Sequence, residues 1–212
     1  MHKEEVFSTI VYVLMILVAA FIGFFVISPS LKGVVEVWKI SITLFIILFL
    51  VVAVIFNVIA FEVAHIIGAK IGGYKVEKVN FLGFEIRRNK DTNKVNVKLF
   101  RSYDGLTGET AIVPIKEDAN PRPYTYAPLV VFFLEVVCLI LAYIFIKTGK
   151  DYKDFYGIKY IQLLIVTIGG MLFIYNYFPA KLDSTTDGYR MSLINKKINV
   201  EAFNTLLKFS SR

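Results

Sequence analysis

An ionisable pair, Glu62 and His65, lies at the end of a long apolar stretch, within the run Phe61 to His65. The two residues are three positions apart, so a helix places them on one face, and Phe61 shares that face with His65. Ionisable side chains inside an apolar span are costly and usually functional. A carboxylate and an imidazole one turn apart suit a metal site or a proton relay, whereas the structural alternative is a buried polar pair that braces two helices.

A second polar group follows the last apolar stretch. It begins with the run Asn176 to Pro179 and continues with Asp187 and Gly188. An Asn and a Pro at a helix end, followed by Asp-Gly, are typical of a capped terminus and a turn. If both polar groups lie at the same face of a membrane, Asp187 joins His65 at one site.

The composition indicates an integral membrane protein. Apolar residues make up 56% of the 212 residues and charged residues only 19%, with a mean hydropathy of +0.62. A soluble domain is nearer about 45–50% apolar and about 25% charged. The 19 Phe residues exceed what an interior of this size buries, and the single cysteine, Cys138, excludes a disulfide scaffold.

Four apolar stretches are long enough to cross about 30 Å of hydrocarbon, which takes about 20 helical residues. They cover about 6–27, 39–71, 126–146 and 158–178. The first is interpreted as a retained span, because its apolar run is too long for a signal peptide and no small-residue cleavage site follows it. We therefore predict a single membrane domain over 1–212, with a polar β-rich insert at about 74–125 and a cytoplasmic tail at 179–212.

The polar insert has the period of a strand. Every second residue from Val95 to Leu99 is apolar, residues 84–87 alternate in the same way, and residues 91–93 supply a turn. Residues 109–115 suggest a further strand. The sequence thus predicts an α-helical polytopic membrane protein, with four transmembrane helices and a small cytoplasmic β-hairpin region between helices 2 and 3.

The distribution of basic residues predicts the orientation. With a cytoplasmic N-terminus, 18 of the 24 Lys and Arg residues fall on the cytoplasmic side and six in the outside loops, as the positive-inside rule requires. We therefore expect a multi-pass protein of the plasma membrane with both termini cytoplasmic. The net charge of +7 is then a topology signal, and no nucleic-acid partner is expected.

Small residues recur at helical spacing beside the ionisable pair. Ala60, Ala64, Gly68 and Gly72 are four positions apart. Small side chains at this spacing let another helix approach closely. We expect another helix to pack against them near the site.

Together, the polar residues resemble the site-2 protease family of intramembrane zinc metalloproteases. The family pattern is a His-Glu-x-x-His helix in one span and an Asn-x-x-Pro…Asp-Gly segment after a later span. The run Phe61 to His65 aligns with the first motif, and the run Asn176 to Pro179 with Asp187 and Gly188 aligns with the second. The likeness covers about residues 39–195, and the two motifs occur in the family's order.

The resemblance implies a zinc endopeptidase that hydrolyses peptide bonds in or near membrane-spanning segments of proteins or of signal and precursor peptides. It implies His65 and Asp187 as ligands of Zn²⁺ and Glu62 as the general base that takes a proton from water. Asn176 and Pro179 lie where the family shapes its substrate-facing loop. Catalytic zinc takes three protein ligands and keeps one open position.

One position departs from the family pattern, because Phe61 stands where the pattern has its first ligand histidine. Phe has no lone pair for zinc, so zinc is expected to bind weakly or not at all. Phe61 is interpreted as an engineered substitution, as the mark of a pseudoprotease, or as part of a site completed by an unusual ligand. The first is favoured because the other motif residues are intact. Asp183 and Glu135 are the carboxylates considered as replacement ligands.

Two other classes of function stay open. A pseudoprotease, or an immunity or chaperone protein, would bind membrane segments without cutting them. A small proton-coupled transporter would use Glu62, His65 and Glu135 as a proton path, although such transporters more often show paired repeats with broken helices. The expected partners are the lipid bilayer and a membrane-spanning protein or peptide. The sequence indicates no oligomeric state.

Substrate access sets a further requirement. A protease inside a membrane must reach carbonyl groups that a helical substrate keeps in its own hydrogen bonds. A strand edge that offers replacement hydrogen bonds lowers this cost by β-augmentation. We predict that the hairpin near residues 84–101 supplies that edge.

Overall fold

The computed structural model describes residues 3–81, 83–88, 95–99, 109–116, 118–148, 156–178, 187–194 and 197–210. The chain divides into two compact units. The first unit comprises Met1–Asn57 with Phe132–Tyr175, and the second comprises Val58–Val131 with Asn176–Arg212.

Helices account for most of the described residues. They are α1 Lys3–Ile22, α2 Ser28–Leu31, α3 Glu36–Ile71, α4 Arg122–Thr148, α5 Tyr156–Tyr177, α6 Asp187–Leu193 and α7 Lys197–Ser210. A π-helical turn, Gly23–Ile27, lies between α1 and α2.

In the part of the chain that the structure describes, four helical segments are long and apolar enough to cross a membrane. They are Thr9–Leu31, Glu36–Ile71, Arg122–Ile144 and Tyr160–Tyr177. At 1.5 Å per residue, the 36 residues of α3 extend about 54 Å, which exceeds the roughly 30 Å of a hydrocarbon core. The prediction of four membrane-crossing helices is confirmed at the level of length and composition.

The surface of the first unit is apolar. Phe24, Ile40 and Phe45 are 75%, 72% and 62% exposed. Large contiguous apolar surfaces of this kind mark contact with lipid or with a partner. These residues lie on helices that are long and apolar enough to cross a membrane, so their exposed side chains are suited to contact with lipid tails.

The interior of the first unit follows the helical period of α5. Leu164, Ile168 and Leu172 recur every four residues and are buried. The rings of Phe132 and Phe173 stack with their centroids 5.0 Å apart. Apolar packing therefore accounts for most of this interior.

The second unit contains a four-stranded antiparallel sheet. Its strands are β1 Tyr74–Phe81, β2 Phe84–Arg88, β3 Val95–Leu99 and β4 Glu109–Pro114, and their order is β3-β2-β1-β4. The two-residue turn between β1 and β2 contains Gly83 at φ +82°, a conformation that glycine adopts without strain.

The predicted fold class is wrong in its β part. The strands form a four-stranded antiparallel sheet rather than a small hairpin, and this sheet follows α3, the second of the long apolar helices. The predicted hairpin corresponds to β2 and β3, and the suggested strand at 109–115 to β4, while the turn predicted at 91–93 lies outside the described residues. Strand β1 escaped prediction because the register shifts between Val76 and Lys78, and such a bulge breaks the two-residue period.

A polar contact ties the last helix to the sheet unit. The Tyr74 hydroxyl donates to Asn204 Oδ1 at 2.6 Å, and Asn204 Nδ2 donates to the Ala119 carbonyl at 2.9 Å. Burial raises the pKa of Tyr74 above its ordinary value. Tyr74 and Ala119 belong to the buried cluster that also contains Ile112 and Tyr124, so α7 and β4 share one core.

Candidate active site

The structure brings His65 and Asp187 together in the second unit. His65 Nε2 lies 3.1 Å from Asp187 Oδ2, although 121 residues separate the two along the chain. Each residue is only 6% exposed. The structure therefore places the histidine of the first motif beside the aspartate of the second, as a shared site requires.

A missing backbone donor in α4 explains how His65 is oriented. Residue 128 of a regular helix would donate its N–H to the carbonyl of residue 124, but Pro128 has no N–H to give. The Tyr124 carbonyl is thus left to accept a hydrogen bond from His65 Nδ1 at 2.9 Å. Pro128 is fully buried, so this turn of α4 is enclosed by protein.

The hydrogen bond to Tyr124 sets the chemistry of the other ring nitrogen. A carbonyl only accepts, so His65 Nδ1 carries a proton and donates it, while Nε2 faces the Asp187 carboxylate at ion-pair distance. Metal-binding histidines are held in this way, with the second ring N–H donated to a carbonyl or carboxylate. Two ligands of one tetrahedral zinc ion lie about 3.3 Å apart when each bond is about 2.0 Å, close to the observed separation.

Glu62 lies one turn before His65 on α3 and is held by strand β4. The Thr110 hydroxyl donates to Glu62 Oε2 at 2.5 Å. Glu62 is 6% exposed, and a buried carboxylate needs such a donor. The Tyr124 hydroxyl donates to the Thr110 carbonyl at 3.0 Å. This bond links β4, whose Thr110 hydroxyl donates to Glu62, to α4, whose Tyr124 carbonyl accepts from His65.

The glycine of the Asp-Gly motif is required by close packing against α5. A Cβ on Gly188 would collide with the backbone carbonyl of Tyr177. Glycine therefore lets α6 begin against the end of α5, and Asp187 is the first residue of α6. Arg190, one turn later, lies with Nη1 3.6 Å from Asp187 Oδ1 and donates to the Tyr124 hydroxyl at 3.0 Å.

The small-residue stripe of α3 has a comparable role. A Cβ on Gly68 would collide with the Pro123 carbonyl, and a Cβ on Gly72 would collide with the Asn120 carbonyl. The expectation of close packing is confirmed for these two glycines. Their lack of side chains lets the segment that leads into Tyr124 approach α3.

Within the described residues, the site offers fewer donors than a zinc centre takes. Phe61 is 3% exposed and offers only carbon atoms at the position of the first ligand. Among the residues that the structure describes, no group of three or more His, Cys, Asp or Glu side chains is arranged to hold a metal ion. His65 and Asp187 thus fit two of the three protein donors that catalytic zinc takes.

The structure describes only some of the other site residues that the sequence suggested. Asn176 is half-buried in the last turn of α5, whereas Pro179 and Asp183 lie outside the described residues. Glu135 belongs to the first unit.

Sequence reasoning missed three residues that organise the site. They are Thr110, Tyr124 and Arg190. Arg190 carried a signal, because it follows Asp187 by one helical turn. Thr110 and the Tyr124 carbonyl carried none, because their roles depend on contacts between distant segments.

Comparison with known proteins adds no assignment. No family model, no curated protein and no solved structure matches this chain.

The role of Pro128 can be tested in a chain whose third ligand has been supplied by Phe61→His. We expect Pro128→Ala in that background to weaken zinc binding about tenfold, the lower end of the loss seen when an outer contact of a ligand is removed. The new N–H of residue 128 would draw the Tyr124 carbonyl into the helix and loosen His65. Competition with a fluorescent zinc chelator measures the affinity.

Pro29→Ala in α2 is the matched control, because Pro29 belongs to the first unit. It should leave the zinc affinity of the Phe61→His chain as it was. Equal affinity in the Pro128→Ala and Pro29→Ala chains would show that the missing N–H of residue 128 does not orient His65.

Proposed function

We propose that this chain has the site of an intramembrane zinc metalloprotease of the site-2 protease type, impaired by Phe61 in its present form. The substrates would be membrane-spanning segments or signal and precursor peptides. The observation that supports this most is the buried approach of His65 Nε2 to Asp187 Oδ2, with His65 Nδ1 bonded to the Tyr124 carbonyl. The proposal includes a plasma-membrane location with both termini cytoplasmic.

Each polar residue of the site has a task in this proposal. His65 and Asp187 would bind the metal, and Glu62, held by the Thr110 hydroxyl, would accept a proton from the water that attacks the peptide. Zinc, once a third ligand is present, would supply the Lewis acidity that polarises the scissile carbonyl. Burial of all three side chains strengthens their electrostatic interactions.

Phe61 is the position that limits this chemistry. It lies four residues before His65 on the continuous helix α3, so a histidine there would share the face of His65. An imidazole is close in size to the phenyl ring, and a metal bound to its nitrogen would satisfy the polar group that the substitution buries. One substitution would therefore supply the missing donor.

We predict that Phe61→His converts the chain into one that holds close to one zinc per molecule. The unaltered chain should bind zinc much more weakly, because two donors remain. Zinc per purified chain, measured by inductively coupled plasma mass spectrometry, provides the comparison. Cleavage of a panel of tagged single-span segments in liposomes should appear only in the Phe61→His form.

Two further variants make this comparison specific. Phe61→Leu changes the side chain without adding a donor and should stay as metal-poor as the unaltered chain. His65→Phe added to Phe61→His should abolish the gain. A Phe61→His chain that folds but holds no zinc would contradict the proposal.

The sheet offers a place for the substrate backbone. Within the described residues β3 is an outer strand, paired only with β2, and all five of its residues are exposed. An extended substrate segment could add to it and replace the hydrogen bonds lost on unwinding. This supports the hairpin as the docking edge.

We predict that Val97→Pro in the Phe61→His chain lowers cleavage, because proline removes one backbone donor of β3. Zinc content should stay unchanged. Val97→Thr keeps the donor and the β-branched shape, so it should cleave normally. Unchanged cleavage in the Val97→Pro chain would reject docking at this strand.

A pseudoprotease that binds membrane segments is the second candidate. It is favoured by the burial of Phe61, which fills the ligand position with a well-packed apolar ring. Under this alternative, the Phe61→His chain would bind zinc without cleaving any tagged segment.

A further inference from the structure

A buried amide in the first unit has a fixed orientation. Asn57 is 0% exposed, and its Nδ2 donates to the Ala53 carbonyl at 2.9 Å and to the Ile165 carbonyl at 3.0 Å. Both partners are acceptors only, so a flipped amide would set oxygen against oxygen. Asn57 Oδ1 is therefore an acceptor that points away from these carbonyls.

That acceptor faces a carboxyl group. A Cβ built on Gly169 would lie 2.5 Å from Asn57 Oδ1 and would collide with Glu135 Oε2. The two oxygens thus converge on the space that the missing side chain of Gly169 leaves open. Among the described residues, no hydrogen-bond donor reaches Asn57 Oδ1 or either carboxyl oxygen of Glu135, and all three atoms are buried.

Three buried acceptors without a donor are unfavourable in an apolar interior. Each unsatisfied polar atom costs free energy, and an ionised carboxylate costs far more. The neighbouring buried residues of α5 are apolar, Leu164 and Ile168 among them, and no charged side chain among the described residues pairs with Glu135. A proton on the carboxyl removes the charge and supplies the missing donor at once.

We propose that Glu135, Asn57 and Gly169 form an intramembrane proton-binding site, in which the Glu135 carboxyl holds a proton and donates it in a hydrogen bond to Asn57 Oδ1. Gly169 keeps the space in which the two groups meet. This site belongs to the first unit and does not rest on the zinc chemistry proposed for the second. Its ligand is H⁺, and the bound state is a neutral carboxylic acid at neutral pH.

The number of available oxygen atoms favours a proton over a metal cation. Hard cations take about six or more oxygen ligands, whereas the open acceptors are Asn57 Oδ1 and the two oxygens of Glu135. The Ala53 and Ile165 carbonyls already accept from Asn57 Nδ2. A proton needs only the carboxyl oxygen that carries it and one oxygen that accepts the hydrogen bond.

Infrared difference spectroscopy of the purified full chain in liposomes tests the proposal. A protonated carboxylic acid has a carbonyl stretch that a carboxylate lacks. At neutral pH we expect Glu135→Gln to remove one carboxylic-acid equivalent from the spectrum of the unaltered chain. Glu36→Gln is the control, because Glu36 is exposed and paired with Lys39, and it should remove none.

Two more variants test the geometry of the site. Asn57→Leu should shift the same band to higher frequency, since the acid loses its acceptor. Gly169→Ala should shift the band as well, because the new methyl group enters the site. Gly170→Ala should not, since a Cβ there meets only ring carbons of Phe132 at 3.4 and 3.6 Å.

Three outcomes would overturn the proposal. One is a Glu135→Gln chain that loses no acid band at neutral pH. Another is an acid band whose amplitude changes when Na⁺ is exchanged for choline, which would assign the site to a metal cation. If Glu135→Gln does not fold, a pH titration of the unaltered chain decides the matter, and an acid band absent at neutral pH would overturn the proposal.

Discussion

The orientation of one imidazole determines what this site can do. His65 is buried between a carbonyl at Nδ1 and a carboxylate at Nε2, and neither partner can donate a proton of its own in its ordinary state. The carbonyl of Tyr124 is available because Pro128 cannot donate to it. The carboxylate of Asp187 arrives only because Gly188 admits the start of α6. The missing N–H of Pro128 and the missing side chain of Gly188 therefore act on the same residue, a buried histidine with Nδ1 on a carbonyl and Nε2 facing a carboxylate.

The parts of the fold that were predictable are those with a local signal. The long apolar helices follow from continuous apolar runs, and β2 and β3 follow from the alternation in residues 84–87 and 95–99. Glu62, His65 and Asp187 stood out because polar residues next to apolar spans are costly. Their grouping in the second unit could be expected from the order of the two motifs, whereas the distance between them could not.

The parts that escaped prediction depend on contacts between distant segments. Strand β1 hides its period behind a bulge, so the sheet is larger than the sequence indicated. Thr110 looks like an ordinary strand residue in the sequence, and its role becomes visible only from its hydrogen bond to Glu62. Asn57 reads as a lone polar residue in an apolar helix, and only the structure brings it to Gly169 beside Glu135. In each case the partner, rather than the residue type, defines the role.

The most direct test of the account is the state of the His65 ring. The chain has two histidines, so His2→Gln leaves His65 as the single imidazole for nitrogen-15 NMR. The account predicts a ring protonated and hydrogen-bonded at Nδ1, whose Nε2 resonance moves with Asp187→Asn but not with Asp118→Asn, an exposed control. A ring with the resonances of a solvent-exposed histidine, or one indifferent to Asp187→Asn, would contradict the central claim.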